Sequence, residues 1–215
     1  MRILLALFIV TLPTLSHAFV VVETDISRPY EVFPVERTLP NQTWYLGTLD
    51  NYPVMYEIRS EEPFTFTAQL RQPTNRPAES LSLLLIRNND RGGGVTEIAR
   101  QNIAPSDWTR QRDSLLGMSF LTADQLQIDV IPGVYRLEVS SPNNLAQYML
   151  SVGDEPIESG YFEQLGYVRQ TQSYFGYSFL TMLRSSLVYY PIGILLLLGA
   201  FYQTWRFASK RRSDA

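Results

Sequence analysis

The segment PGVYRLEVSSPNNLAQYMLSV, Pro132 to Val152, decides how the chain folds. Tyr135, Leu137 and Val139 alternate with Arg136, Glu138 and Ser140. After the polar turn Ser141-Pro142-Asn143-Asn144, Tyr148, Leu150 and Val152 alternate with Gln147, Met149 and Ser151. A two-residue period is that of a strand with one face on a core and the other in water. The same period runs through Val54, Tyr56 and Ile58, and through Phe64, Phe66, Ala68 and Leu70. Leu81 to Ile86 is continuously apolar apart from Ser82 and reads as a more central strand. Asp50-Asn51-Tyr52-Pro53, Asn88 to Gly94 and Pro132-Gly133 punctuate these runs with turn chemistry. Further strands fit Phe19 to Thr24, Thr43 to Leu49, Val95 to Arg100, Leu115 to Leu121 and Leu126 to Val130. About seven to nine short strands predict a mainly β chain whose ectodomain, residues 19–153, is an antiparallel β-sandwich or jelly roll.

Two apolar segments flank this region. Met1-Arg2, the run Ile3 to Leu12 and the close Ser16-His17-Ala18 match a secretory signal peptide over residues 1–18, cleaved before Phe19. Leu187 to Trp205 is free of charge, with Tyr189 and Tyr190 at one end and Tyr202 and Trp205 at the other. Its length suits one transmembrane helix over residues 187–205, with Pro191 in about the first turn. Arg206, Lys210, Arg211 and Arg212 then make residues 206–215 a basic tail, placed in the cytoplasm by the positive-inside rule. The expected protein is therefore single-pass in the cell membrane, with its N-terminal domain extracytoplasmic, periplasmic in a Gram-negative cell.

Between sandwich and span, residues 154–186 change period. Tyr161, Leu165, Val168, Gln172, Phe175, Phe179 and Met182 recur at helical spacing, with Gly166 and Gly176 as weak points. They predict an amphipathic juxtamembrane helix, lying on the membrane surface or against the ectodomain; a coiled-coil dimer seam is the alternative.

The chemistry open to such a domain is narrow. The chain has no cysteine, its one histidine is His17 and its one lysine is Lys210, so both fall outside the mature ectodomain. Triads, serine–lysine pairs, Schiff bases and the usual zinc, copper and haem ligand sets therefore lack their residues. Glu57, Glu61, Glu62, Asp107, Asp113, Asp124 and Asp129 could still supply a glycosidase pair, although solvated faces and turns account for them more simply. Calcium stays open because it wants only oxygen ligands, at Asn88-Asn89-Asp90 or Asp50-Asn51, and a plain turn is the simpler reading of each. The Gly92-Gly93-Gly94 run lacks the lysine and helix of a phosphate loop. Asn41-Gln42-Thr43 has the form of a glycosylation sequon, and Trp44 and Trp108 read as core or interface anchors rather than carbohydrate platforms. From Phe19 to Ser186 there are 13 arginines and 20 acidic residues, a net of −7, which repels a nucleic-acid backbone.

The stretch Pro132 to Val139, with Pro142-Asn143-Asn144 and Tyr148 to Val152, resembles the closing hairpin of bacterial pre-peptidase C-terminal domains. The resemblance implies a jelly-roll-like sandwich acting as a non-catalytic accessory. The overall plan is also similar to that of the p24/GOLD-type single-span cargo receptors, without their cysteine pair, long coiled coil or dilysine tail. The sequence thus predicts no enzyme and no cofactor. It predicts a membrane-anchored binding or accessory module of a cell-envelope complex, whose partner is another envelope or membrane protein or a glycan. A structural protein dimerising through its helices, and a carboxylate-dependent glycan hydrolase, are the other readings.

Overall fold

In the computed structural model the alternating segments stack as two sheets, and the described residues are 19–25, 28–29, 31–35, 41–89, 94–157 and 159–213, without the side chains of Asp25 and residues 207–213. The signal peptide expected over residues 1–18 lies outside them. The strands are β1 (Val20–Asp25), β2 (Val32–Pro34), β3 (Thr43–Thr48), β4 (Val54–Ser60), β5 (Phe64–Pro73) and β6 (Leu81–Asn88). They continue as β7 (Val95–Ile103), β8 (Thr109–Asp113), β9 (Met118–Thr122), β10 (Leu126–Val130), β11 (Gly133–Ser140) and β12 (Gln147–Val152). One sheet runs β1-β3-β12-β5-β9-β8, with β10 on the first half of β5; the other runs β2-β4-β11-β6-β7. Leu81 to Ile86 is indeed interior, because β6 lies between β11 and β7.

Three expectations change. The sheets are mixed rather than purely antiparallel: β1 pairs with β3, and β2 with β4, in parallel. The first four strands alternate between sheets, so each such pair runs in the same direction. Second, β11 and β12 do not form a hairpin. β11 pairs with β4 and β6, while β12 pairs with β3 and β5, so the Ser141 to Ala146 turn carries the chain from one sheet to the other. Asn144 takes a left-handed φ of 48° there and its side chain accepts the Ser141 amide, as a short polar residue can. Third, β2 and β8 escape a periodicity search, because β2 has three residues and Thr109-Arg110-Gln111-Arg112-Asp113 has no apolar position to count. Leu115 belongs to the β8–β9 turn, which Gly117 closes at φ 66°.

Between the sheets lies a core of Tyr56, Ile58, Phe66, Leu70, Leu83, Leu85, Leu137 and Leu150, each at most 1% exposed. Each such side chain contributes about 1.5–3 kcal/mol on burial. A line of hydroxyls crosses it. Thr24 Oγ1 donates to the Leu46 carbonyl at 3.0 Å, Tyr56 lies 2.9 Å from Thr24, and Tyr148 lies 2.9 Å from Tyr56. Since the Thr24 proton is committed, Tyr56 donates to Thr24 and Tyr148 donates to Tyr56. Burial pushes both phenols well above their usual pKa. Gly47 makes room for this line, since a Cβ there would overlap the Tyr148 ring.

The outer face of the seven-stranded sheet was expected in water, and half of it is not. Trp44, Leu46, Met118, Phe120 and Met149 form a second core with Phe19, Val168 and Phe175. The cover is helix α1 (Tyr161–Tyr174), so the segment expected beside the membrane lies against the sandwich. Its buried stripe is more polar than the predicted series: Gln164, Val168, Thr171 and Gln172 face the sheet. Gln164 Nε2 donates to the Phe19 carbonyl at 2.9 Å and Gln172 Nε2 to the Leu116 carbonyl at 2.7 Å. The helical register ends at Gly176, φ 76°, and Phe179 consequently points outward. A 3-10 turn, Phe179–Arg184, leads to helix α2 (Ser186–Ser213).

Helix α2 is long and apolar enough over Ser186–Arg206 to cross a membrane. Its first turn is clamped to the sandwich. The Ser186 amide donates to the Ser114 carbonyl at 2.8 Å, Ser185 Oγ to the Leu115 carbonyl at 2.5 Å, and Leu187 is 4% exposed. Pro191 lies in the second turn rather than the first and has no N–H for the Leu187 carbonyl, four residues back. Tyr161 supplies the missing donor: its hydroxyl reaches that carbonyl at 2.7 Å.

Candidate functional site

Beside α1, the uncovered half of the seven-stranded sheet's outer face is polar, and its centre is Arg71 on β5. The register puts Arg71 opposite Met149 of β12 and Thr122 of β9. Its guanidinium sits 5.4 Å from the Trp44 ring centroid, and Nη1 donates to Asp113 Oδ2 at 3.2 Å. Nε and Nη2 both donate to Gln69 Oε1 at 3.3 Å. Asp113 is itself held by the β8–β9 turn, its Oδ1 accepting the Leu116 amide at 2.9 Å. The pair is mostly enclosed, at 19% and 18% side-chain exposure. Burial pushes the Arg71 pKa down, and Asp113 opposes that shift. An arginine starts so high that it stays charged.

Two open grooves meet at Arg71. One, of about 280 Å³, is bordered by Gln111, Arg112, Asp113, Ser114 and Thr122. The other, of about 250 Å³, is bordered by Gln42, Gln69, Gln125, Ser151 and Asp154. Across both, Arg71 and Arg112 face Asp113 and Asp154, so formal charge cancels. Amides and hydroxyls complete a surface rich in both donors and acceptors. Such a surface suits a neutral ligand with many hydroxyl or amide groups. A larger groove of about 480 Å³ on the other sheet is bordered by Ser82, Arg100 and Asn102, side chains already tied to neighbours: Ser82 to Asn102, and Arg100 to Glu97.

The acidic residues singled out above disperse. Glu57 pairs with Arg59 and Arg136 on the five-stranded sheet, Asp129 accepts from Thr65, and Asp107 accepts the Ala104 amide. Glu61 and Glu62 are exposed in the β4–β5 turn, and Asp124 is exposed after β9. Only Asp113 joins the grooves. Asp50-Asn51 is a turn in which the Asn51 side chain donates to Asp50, and the Asn51 amide donates to the Asn144 carbonyl. Of the Asn88-Asn89-Asp90 turn, Asn89 bonds Gly94 and Thr96, while Asp90 lies outside the described residues. Asn41 bridges to Glu155. Trp44 and Trp108 are 5% and 9% exposed, Trp44 stacked on Phe19 and Trp108 donating to the Glu79 carbonyl, so neither is a platform.

Sequence reasoning passed over Arg71, Gln69, Gln42 and Gln111, which read locally as water-facing polar positions. Only strand register reveals them, because Ser151 faces both Trp44 and Gln69 across the sheet.

No family model and no curated protein matches the chain. Among solved structures, it is similar to the pre-peptidase C-terminal domain of a collagenase from Bacillus anthracis, at 14% identity and TM-score 0.35, covering 60% of this chain and 98% of that one. It is also similar to the Yersinia pseudotuberculosis-derived mitogen, at 15% identity and TM-score 0.36, covering 56% and 92%. A third is CBM35 from Cellvibrio japonicus Abf62, at 18% identity and TM-score 0.27, covering 50% and 69%. A pre-peptidase C-terminal domain, the family that the β11–β12 stretch resembles, is therefore among these solved structures. Likenesses this distant do not assign a ligand.

Proposed function

We propose that this chain is a membrane-anchored, non-catalytic binding module of a cell envelope, its sandwich outside the cytoplasm and its basic tail within. The ligand is a glycan, bound in the grooves around Arg71. The observation that carries this reading is the immobilised, charge-balanced Arg71–Asp113 pair at the meeting of two polar grooves. A preorganised pair of this kind orients a polyhydroxylated ligand without reordering the site, which favours affinity. Helix α2, long and apolar enough to cross a membrane, supports the anchor. The lack of His, Cys and Lys between Phe19 and Trp205 supports binding rather than catalysis.

Full-length protein in lipid nanodiscs, titrated calorimetrically with neutral cell-wall and β-glucan oligosaccharides, tests the proposal. Saturable binding is expected, weakened severalfold by Gln111→Ala and by Gln125→Ala with unchanged melting temperature. Binding that ignores both substitutions would move the ligand elsewhere. Absence of glycan binding, together with a stoichiometric protein partner in native membranes, would replace the glycan with an envelope protein.

A further inference from the structure

Among the described residues, the most exposed large apolar side chains outside α2 are Phe162 of α1 and Leu180 and Phe179 of the 3-10 turn, at 84%, 70% and 68%, and Leu183 of the same turn is 53% exposed. They are not scattered. Phe162 adjoins Tyr161, which bonds the first turn of α2, and Leu183 is separated from α2 by Arg184 and Ser185 alone. Arg169 and Arg184 accompany them. Arg169 lies 5.6 Å from the Phe179 ring centroid and donates to the Tyr177 carbonyl, which fixes it beside the apolar cluster. Exposed aromatics and leucines next to arginines are the composition of a membrane interface, where rings sit at the headgroup level and cations meet phosphate.

Length argues for the same place. The apolar part of α2, Ser186–Arg206, has 21 residues. At ~1.5 Å per residue it measures the ~30 Å hydrocarbon thickness even with its first turn, which the sandwich already holds, so no slack lifts the preceding residues into bulk water. Ser185 and Ser186 are bonded to the β8–β9 turn, so the 3-10 segment cannot swing away as a linker would.

We propose that Phe162, Phe179, Leu180 and Leu183 form a collar that inserts into the lipid headgroup–acyl boundary, with Arg169 and Arg184 on the phosphates. The occupant of this face is lipid, and the sandwich rides on the bilayer at a fixed angle. The inference rests on α2 being a span.

The chain has no cysteine, so single nitroxide labels can be placed without background. Leu180→Cys, Phe162→Cys, Val95→Cys and Leu197→Cys would be labelled in full-length protein. The labelled protein goes into phosphatidylcholine–phosphatidylglycerol liposomes, and access to oxygen and to a water-soluble nickel chelate is compared by electron paramagnetic resonance. The oxygen-to-nickel ratio at Leu180 and Phe162 is expected to exceed that at Val95, on the far sheet, severalfold, and to fall below that at Leu197. A Leu180 ratio equal to that of Val95, with Leu197 still deep, overturns the collar and leaves the span intact. A Leu197 ratio equal to that of Val95 removes the span itself. Dipolar broadening at Leu180 that vanishes on dilution with unlabelled protein would assign the face to a second copy and overturn the lipid proposal.

Discussion

The seven-stranded sheet buries its inner face against the other sheet and half of its outer face under α1, and the two are buried by different means. The inner face meets the other sheet through Leu70, Phe66 and Leu150, and its Thr24 and Tyr148 join Tyr56 of the other sheet in a continuous hydroxyl line. The outer face meets α1 through Trp44, Met149 and Phe175, but also through two glutamine amides that donate to main-chain carbonyls. The amide oxygens of Gln164 and Gln172 have no partner among the described residues. The inner face is held by area and shape, whereas the outer face depends on a few directional bonds. Loss of one such bond releases a helix; loss of inner area weakens everything.

The largest effect should come from the inner face. Leu150→Ala removes a fully buried side chain from between the sheets and should cost about 2–5 kcal/mol in chemical denaturation, with every probe moving together. Tyr56→Phe comes next, at about 1–3 kcal/mol, because it strands the Tyr148 proton and removes the donor to Thr24. Tyr148→Phe, at the end of the line, should cost less. Equal costs would break the line, since Tyr56 makes two of its bonds and Tyr148 one.

The same line sets an alkaline limit. Both folded phenols titrate above the unfolded value of about 10, so the unfolded state loses its protons first. Their contribution is complete below about pH 10 and falls as pH rises above it, and Tyr56→Phe should shallow that slope.

On the outer face, Gln172→Ala leaves the Leu116 carbonyl unpaired and should cost about 1–3 kcal/mol. The test is local: hydrogen exchange in α1 should accelerate while β11 and β6 keep their protection. Equal acceleration in both would make the two faces one cooperative unit. The smallest effect is a gain. Gly166 is exposed in α1 with open space around its Cβ position, so Gly166→Ala should stabilise the helix by about 0.5–1 kcal/mol.

These two faces also mark what a sequence discloses. Leu137, Leu150 and Tyr148 announce the inner core, because a strand writes its buried face at every second residue. Met149 and Leu46 occupy the other parity and look like solvent positions, since the period cannot say that a helix will arrive from Tyr161. Gln164 and Gln172 are harder still, because nothing in an amide side chain tells whether it meets water or a carbonyl. The Arg71 grooves join residues from β5, β8, β9 and β12 with Gln42, just before β3, so their assembly depends on a register no local pattern records. The β11–β12 pair shows the converse error. Two alternating runs with a tight polar turn imitate a hairpin, and only the crossing of the Ser141 to Ala146 turn between sheets separates the two cases.

A proline in the second turn of a helix usually frees a carbonyl that the helix itself cannot use. Here Pro191 frees that of Leu187, and Tyr161 of α1 occupies it. With the Ser114 and Leu115 carbonyls holding Ser186 and Ser185, three attachment points fix the top of α2. Three points leave a rigid body no swivel. The azimuth of α2 and the heading of the sandwich are therefore a single coordinate, and any neighbour that turned the helix would steer the grooves with it.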